Sequence, residues 1–260
     1  GRRELAELKA LSPLHRRCVL LLYWQMFQLK YGGEGEGQLA PDDAHAKQHY
    51  IANQIATQVL VRVQMVVLGQ RWVEVTLALF KVSALVVNGL WSHDDPECHK
   101  HMNTVLESDG LPWPKLKLSA SCTSKDTGEA EIVVSKQVKC SVCVTREHAS
   151  ASPEKAPSIA TDKRNPNAIL EAYWCLVEGR KEGETPNSLV GAQPIGVTKL
   201  EQAESKLEVI FGGTPTPGEF KLRVHLLSTS VVGVDRHEDL SFKMVEDDVP
   251  ALEDDVPPLE

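Results

Sequence analysis

The chain has 260 residues, 42% of them hydrophobic, and a formal net charge of −8. That is enough apolar material for one large or two ordinary domains, with a core that needs no disulfide or metal staple. Seven of the eight net negative charges lie beyond Val245, so the rest of the chain is nearly neutral and charge gives nucleic-acid binding no support.

The first third reads as helix. The opening GRRELAELKAL is helical in pattern and lacks an initiator Met, so the chain is expected to be cut from a longer protein. In LSPLHRRCVLLLYWQMFQLKYGG, Ser12 is placed to cap a helix and Pro13 to sit in its first turn, where a missing N–H costs nothing. Leu14, Cys18, Leu21 and Leu22 then share a face, and Gly32-Gly33 is the stop. After the loop GGEGEGQLAPDD, a long helix is predicted from about Asp43 to Leu68. Its face would carry Ile51, Ile55, Val59 and Val63, with Gly69 as terminator. A third helix, from about Trp72 to Trp91, shows a stripe of Val73, Leu77, Phe80, Ala84, Val87 and Trp91. SHDDPECHKHMN reads as a loop with a helical turn.

After Gly110 the period changes to two. Leu116, Leu118, Ala120 and Cys122 alternate with polar residues, as do Val138, Cys140, Val142 and Val144. The pattern repeats through Leu207, Val209 and Phe211, then Phe220, Leu222, Val224 and Leu226, and finally Leu240, Phe242 and Met244. With AYWCLVEG and SLVGAQPIGV, this makes about seven short strands, most simply an antiparallel sandwich. The Pro-, Ser- and charge-rich stretch at about 147–168 reads as a mobile insertion. The division expected is therefore 1–110 helical, 111–245 sandwich and 246–260 acidic tail.

No constellation assembles catalysis, a cofactor site or a metal site. Cys140 and Cys143 form a C-x-x-C, but on a strand their odd separation points them to opposite faces. His93, Asp94, Asp95, Cys98, His99 and His101 match no standard zinc spacing. Asp235, His237, Glu238 and Asp239 read as a solvated connection, and Ser228 with His225 carries no nucleophile-elbow signature. GGEGEG and GGTPTPG are turns, since the first sets two Glu where an anion would sit and the second lacks N–H donors at its prolines. The six cysteines are unevenly spaced, unlike a secreted disulfide framework, and fit a reducing compartment. No signal peptide is recognisable, and no apolar run approaches the ~18 residues of a membrane span.

The tail, EDDVPALEDDVPPLE, duplicates EDDVP and places Glu246, Asp247, Asp248, Glu253, Asp254, Asp255 and Glu260 in a stretch without Lys or Arg. Repelling carboxylates and Pro250, Pro257 and Pro258 keep such a segment extended, disordered and solvated. It suits fast, salt-sensitive binding to a Lys/Arg-rich surface.

Several stretches resemble the Brl domain of the SEC sixty-three family. RRCVLLLYWQMFQL at 16–29 looks like its first core helix. GQRWVEVTLALFKVSALVVNGLW at 69–91 is similar to its "RGW…GLW" helix, with Arg71-Trp72 and Gly89-Leu90-Trp91 in matching places. AYWCLVEGRK resembles its "YWWLYIGD" strand, and GEFKLRVHLLSTSVVGVDRHEDLSFKM its closing hairpin, with Ser230, Gly233 and Asp235 in the connection. Polar DPECHKH stands where the family carries an apolar segment. The resemblance implies an N-terminal helical bundle followed by a fibronectin type III-like sandwich. It also implies a non-enzymatic scaffold on the cytosolic face of the endoplasmic reticulum membrane. The sandwich would contact the translocon channel, and the tail would bind a basic cytosolic segment of a SEC sixty-two-like membrane protein. Membrane spans would lie upstream of this chain. The family's J-domain His-Pro-Asp is absent, and His93-Asp94-Asp95 does not replace it. The same cassette occurs in Ski-like RNA helicases, where it would contact nucleic acid or a protein partner; the acidic tail favours the translocation group.

Overall fold

The alternating runs after Gly110 form the strands they predict, and their apolar residues turn inward together. The computed structural model describes residues 9–13, 16, 19–20, 23, 26, 58–108, 111–149, 160–162, 165–169, 172–181, 186–196 and 202–247. It is an α+β protein with antiparallel and mixed sheets. One sheet holds β1 (Leu116–Ser124), β3 (Gln137–Arg146) and β8 (Glu204–Gly212), in the order β1-β3-β8. The larger has the order β2-β10-β9-β6-β7, from β2 (Glu131–Val133), β6 (Ala172–Arg180), β7 (Ser188–Gly196), β9 (Gly218–Ser228) and β10 (Arg236–Val245). Its pairings are antiparallel except β2 with β10, which is parallel.

The inward faces share one core. Leu116, Leu118, Val138, Cys140, Val142, Val144 and Val209 come from the smaller sheet; Tyr173, Cys175, Val177, Leu222, Val224, Leu226, Phe242 and Met244 come from the larger. Each alternate position was legible as apolar, and period two carries it to the same face. Between 147 and 168, where no strand was expected, β4 (Ala160–Asp162) and β5 (Asn165–Ile169) form a small antiparallel hairpin.

Helix α1 covers 58–70 among the described residues, α2 is Val73–Asn88 and α3 is Pro96–Ser108. The expected stop at Gly69 is corrected: the helix passes it, and Arg71 takes the left-handed turn at φ 59. The Arg71 carbonyl is held there by the Leu189 N–H at 3.3 Å, a tie to β7. The face of α1 is corrected too. Val59 and Val63 are 49% and 38% exposed, whereas Gln64 and Val67 are buried. Gln64 reaches α2, where its Nε2 donates to Ser83 Oγ at 2.8 Å. Ile51 and Ile55 lie outside the described residues, as do Leu14, Cys18, Leu21, Leu22 and Gly32-Gly33.

Helix α2 buries Val73, Phe80 and Ala84 as its stripe predicts, with Leu77 and Val87 half-buried. It ends before Trp91, because Gly89 adopts φ 65 and its N–H, with that of Leu90, closes on Val86 and Leu85 carbonyls. The loop expected over SHDDPECHKHMN is instead mostly α3, a 13-residue helix. Asp95 caps it by accepting the Glu97 N–H at 2.9 Å, and Pro96 opens it. Its buried face is Cys98, Met102, Val105 and Leu106, which is helical spacing diluted by histidines.

Helix α2 packs on the outer face of the larger sheet. Val73 and Phe80 of α2 pack on Leu176 of β6, Leu189 of β7 and Leu227 of β9. Phe80 and Trp174 rings lie 5.4 Å apart. The main core also continues across residue 110, since Ala84, Leu85, Leu90 and the buried face of α3 join it. Ser12 and Pro13 behave as expected: Pro13 is helical and the Ser12 carbonyl accepts the Arg16 N–H at 2.9 Å.

Candidate interaction sites

Three places carry polar groups that the packing alone does not explain: a corner, a sheet-surface cluster, and the root of the acidic tail. The corner, 229–235, joins β9 to β10 and docks on α2 and α3. Ser228 Oγ accepts the Val231 N–H at 2.8 Å, and Asp235 Oδ1 accepts the Ser228 N–H at 2.9 Å. Asn88 donates its amide to the Ser230 carbonyl and to that of Ala84. Gly233 holds φ 84 with the His99 ring against its Cα, where a Cβ would sit 2.5 Å from Nε2. The His99 Nε2–H in turn donates to the His93 carbonyl, and the His93 Nε2–H to that of Lys81 at 2.9 Å. Burial raises the Asp235 pKa; donation from Ser228 and the nearby His93 and Lys81 act against that rise. Asp235 is thus half-buried and specifically engaged, and His237, Glu238 and Asp239 belong to β10. Those three are exposed, as expected of solvated residues, but they lie in a strand and not in a strand connection; Asp235, which is in the connection, is the one drawn out of solvent.

The second place lies on the outer face of β6, β9 and β10, beside the α2 contact. His225 donates Nε2–H to Glu178 Oε2 at 2.6 Å, and Asn187 donates to the other carboxylate oxygen. Burial lowers the His225 pKa, outweighing the hydrogen bond and charge of Glu178, which act to raise it. Arg223 holds Asp239 with two bonds of 2.6 and 2.7 Å, which keeps the Asp239 carboxyl below its ordinary range. Arg180 adds a longer contact to the same carboxylate at 3.8 Å. The sequence signal was a Glu and a His inside otherwise apolar strands, but their meeting depends on three strands lying side by side.

The tail leaves from β10, which β2 flanks in parallel through Met244↔Ile132 and Val245↔Val133. Glu246 and Asp247 are exposed. Asp248, Glu253, Asp254, Asp255 and Glu260 lie outside the described residues.

The remaining motifs resolve into structural parts. Cys140 is buried and Cys143 half-buried on opposite faces of β3. Cys98 points into the core, where burial raises its pKa. Asp95 caps α3 and accepts the Trp91 Nε1–H at 2.9 Å. Among the described residues no group of three or more His, Cys, Asp or Glu is placed to hold a metal. No helix among them is long and apolar enough to cross a membrane.

No protein-family model and no curated protein matches the chain. Among solved structures it is similar to a β-glucosidase from Listeria innocua in complex with glucose, at 8% identity and a TM-score of 0.28. The match covers 51% of this chain and 16% of that one, and at that score it bears on neither fold nor activity.

Proposed function

We propose that this chain is a non-enzymatic scaffold of the SEC sixty-three type. In this reading it serves post-translational protein translocation at the cytosolic face of the endoplasmic reticulum membrane. The two sheets are a fibronectin type III-like sandwich that contacts the translocon channel, and the helical part is the family's bundle. The acidic tail recruits a Lys/Arg-rich cytosolic segment of a SEC sixty-two-like membrane protein.

One observation carries the reading. The family-like stretches are far apart in sequence yet meet at one junction. Gly89-Leu90-Trp91 caps α2, Ser230, Gly233 and Asp235 form the corner docked beside it, and AYWCLVEGR is β6, whose Ala172 carbonyl accepts the Thr229 N–H of that corner at 3.1 Å. Residues from separate stretches that build one docking junction are what a helical-plus-sandwich cassette requires. Buried polar contacts such as Asn88 with Ser230 hold the two parts in a fixed relation, which suits a rigid platform for partners.

The tail supplies the recruiting chemistry. Its seven carboxylates follow directly on a strand that ends at Val245, so the platform presents them at a defined point. Exposed charges of one sign steer a basic partner in quickly and release it as salt rises. The test is titration of a Lys/Arg-rich peptide into the full chain at low and high ionic strength. Saturable binding that salt abolishes supports the reading, and no binding at low salt contradicts it.

A further inference from the structure

Cys122 of β1 and Cys140 of β3 are register partners in the smaller sheet. Hydrogen bonds identify what kind of pair they form. The Lys125 N–H donates to the Gln137 carbonyl at 3.0 Å, and the Glu147 N–H to that of Lys115 at 2.9 Å. Both fall at odd positions of β1 and its extensions, so the even positions, Cys122 included, are the non-hydrogen-bonded pairs. There facing Cα atoms approach to about 4.5 Å and the side chains are closest. That spacing lies within the range a disulfide spans, about 4.4–6.8 Å between Cα atoms. Both side chains face the core from directly opposite positions of the two strands. Cys140 is fully buried, whereas Cys122 is half-buried and gives a small solute access to the pair.

We propose that Cys122 and Cys140 form an oxidisable thiol pair, closed to an intrachain disulfide by a small hydroperoxide such as hydrogen peroxide. One sulfur, as its thiolate, attacks the O–O bond, becoming a sulfenic acid and releasing hydroxide. The second sulfur displaces that oxygen, which leaves as water when protonated. Two thiols and one hydrogen peroxide thus give one disulfide and two waters; sulfur is oxidised and the peroxide oxygens are reduced. Donation from the Cys122 thiol lowers the Cys140 pKa and raises that of Cys122, so Cys140 is the sulfur favoured as thiolate. Among the described residues, the neighbouring cysteines are worse placed. Cys175 approaches Cys140 from the facing sheet and is fully buried, and Cys143 lies on the far side of β3. The bond would staple β1 to β3 and stiffen one wall of the core.

The experiment exposes the native full chain to hydrogen peroxide, quenches it, and maps disulfides by non-reducing digestion and mass spectrometry. The expected product is a Cys122–Cys140 crosslink lighter by two hydrogens and reopened by dithiothreitol. It should raise the melting temperature by roughly 5–10 °C through the closed loop. Cys122→Ser, at a half-buried position, should fold and lose both crosslink and shift, while Cys143→Ser should keep both. A Cys140–Cys175 link, or Cys122 and Cys140 both still alkylatable after denaturation, would overturn the proposal.

Discussion

Asn88, the last residue of α2, donates its side-chain amide to the carbonyl of Ser230 in the β9–β10 corner and to Ala84 one turn back, at 2.6 Å for the latter. It is buried at the point where the helical and sheet parts meet. Asn88→Ala would leave the Ser230 carbonyl dry and unpaired, at a cost of about 1–3 kcal/mol. Urea denaturation measures it. A midpoint equal to that of the parent would mean the contact does not hold the junction.

Gly233→Ala tests the same junction from the other side. A Cβ there meets a φ of 84 and the His99 ring, whose own hydrogen bond to His93 resists displacement. The expected loss is about 1–3 kcal/mol from strain alone, more if His99 is expelled. A second variant, His99→Ala, removes the obstruction, and in that background the Gly233→Ala penalty should shrink.

The α2 stripe is graded. Phe80 is 1% exposed and meets the Trp174 ring at a tilt of 54°, whereas Leu77 is half-buried at the rim. Phe80→Ala should cost about 3–5 kcal/mol and Leu77→Ala less than the ~2–5 kcal/mol of a fully buried leucine. Equal losses would mean the rim packs as tightly as the centre.

His225 gives the protein an acid-sensitive element. Burial holds its folded pKa below the ordinary 6.5, so the native state resists the proton that the unfolded chain accepts. Its contribution to stability is complete above about pH 6.5 and falls as pH drops below that value, levelling off under the lowered folded pKa. Asp235 acts oppositely: its raised pKa means stability is gained as pH falls through it. His225→Gln keeps a donor for Glu178 and removes the titration, so its unfolding free energy should vary less than the parent's between pH 7.5 and 5.5. Parallel pH profiles would exclude His225 as the cause.

The strands after Gly110 were legible because alternation and burial are the same fact in a sheet with one buried face: Val138, Cys140, Val142 and Val144 are apolar and all buried. The helices were harder to read. On α1, apolar residues lie all round, so spacing alone selected Val59 and Val63 where packing selects Gln64 and Val67. On α3 the apolar face is real, but Cys98, Met102, Val105 and Leu106 sit among two histidines and other polar residues, and composition hid the period. Of the corner residues, Asp235 stood out by its polar neighbours, whereas the roles of Ser230 and Gly233 depend on Asn88 and His99 docking against them from distant helices. The Glu178–His225 contact joins residues 47 apart, and only strand order brings them together. The tail's acidity is plain from composition, and the binding proposed for it rests on that charge.

The central claim is that the acidic tail recruits a basic segment. The most direct measurement is titration of one Lys/Arg-rich peptide against the full chain, a chain ending at Val245, and chains lacking either EDDVP copy. Two copies raise the effective concentration of carboxylates near the peptide, so each single deletion should weaken binding and the truncation should abolish it. Binding by the full chain should also collapse as ionic strength rises from about 0.1 M, where screening acts beyond ~10 Å, to about 1 M, where it acts beyond ~3 Å. Equal affinity of the full chain and the Val245 truncation, or affinity indifferent to salt, would contradict the account.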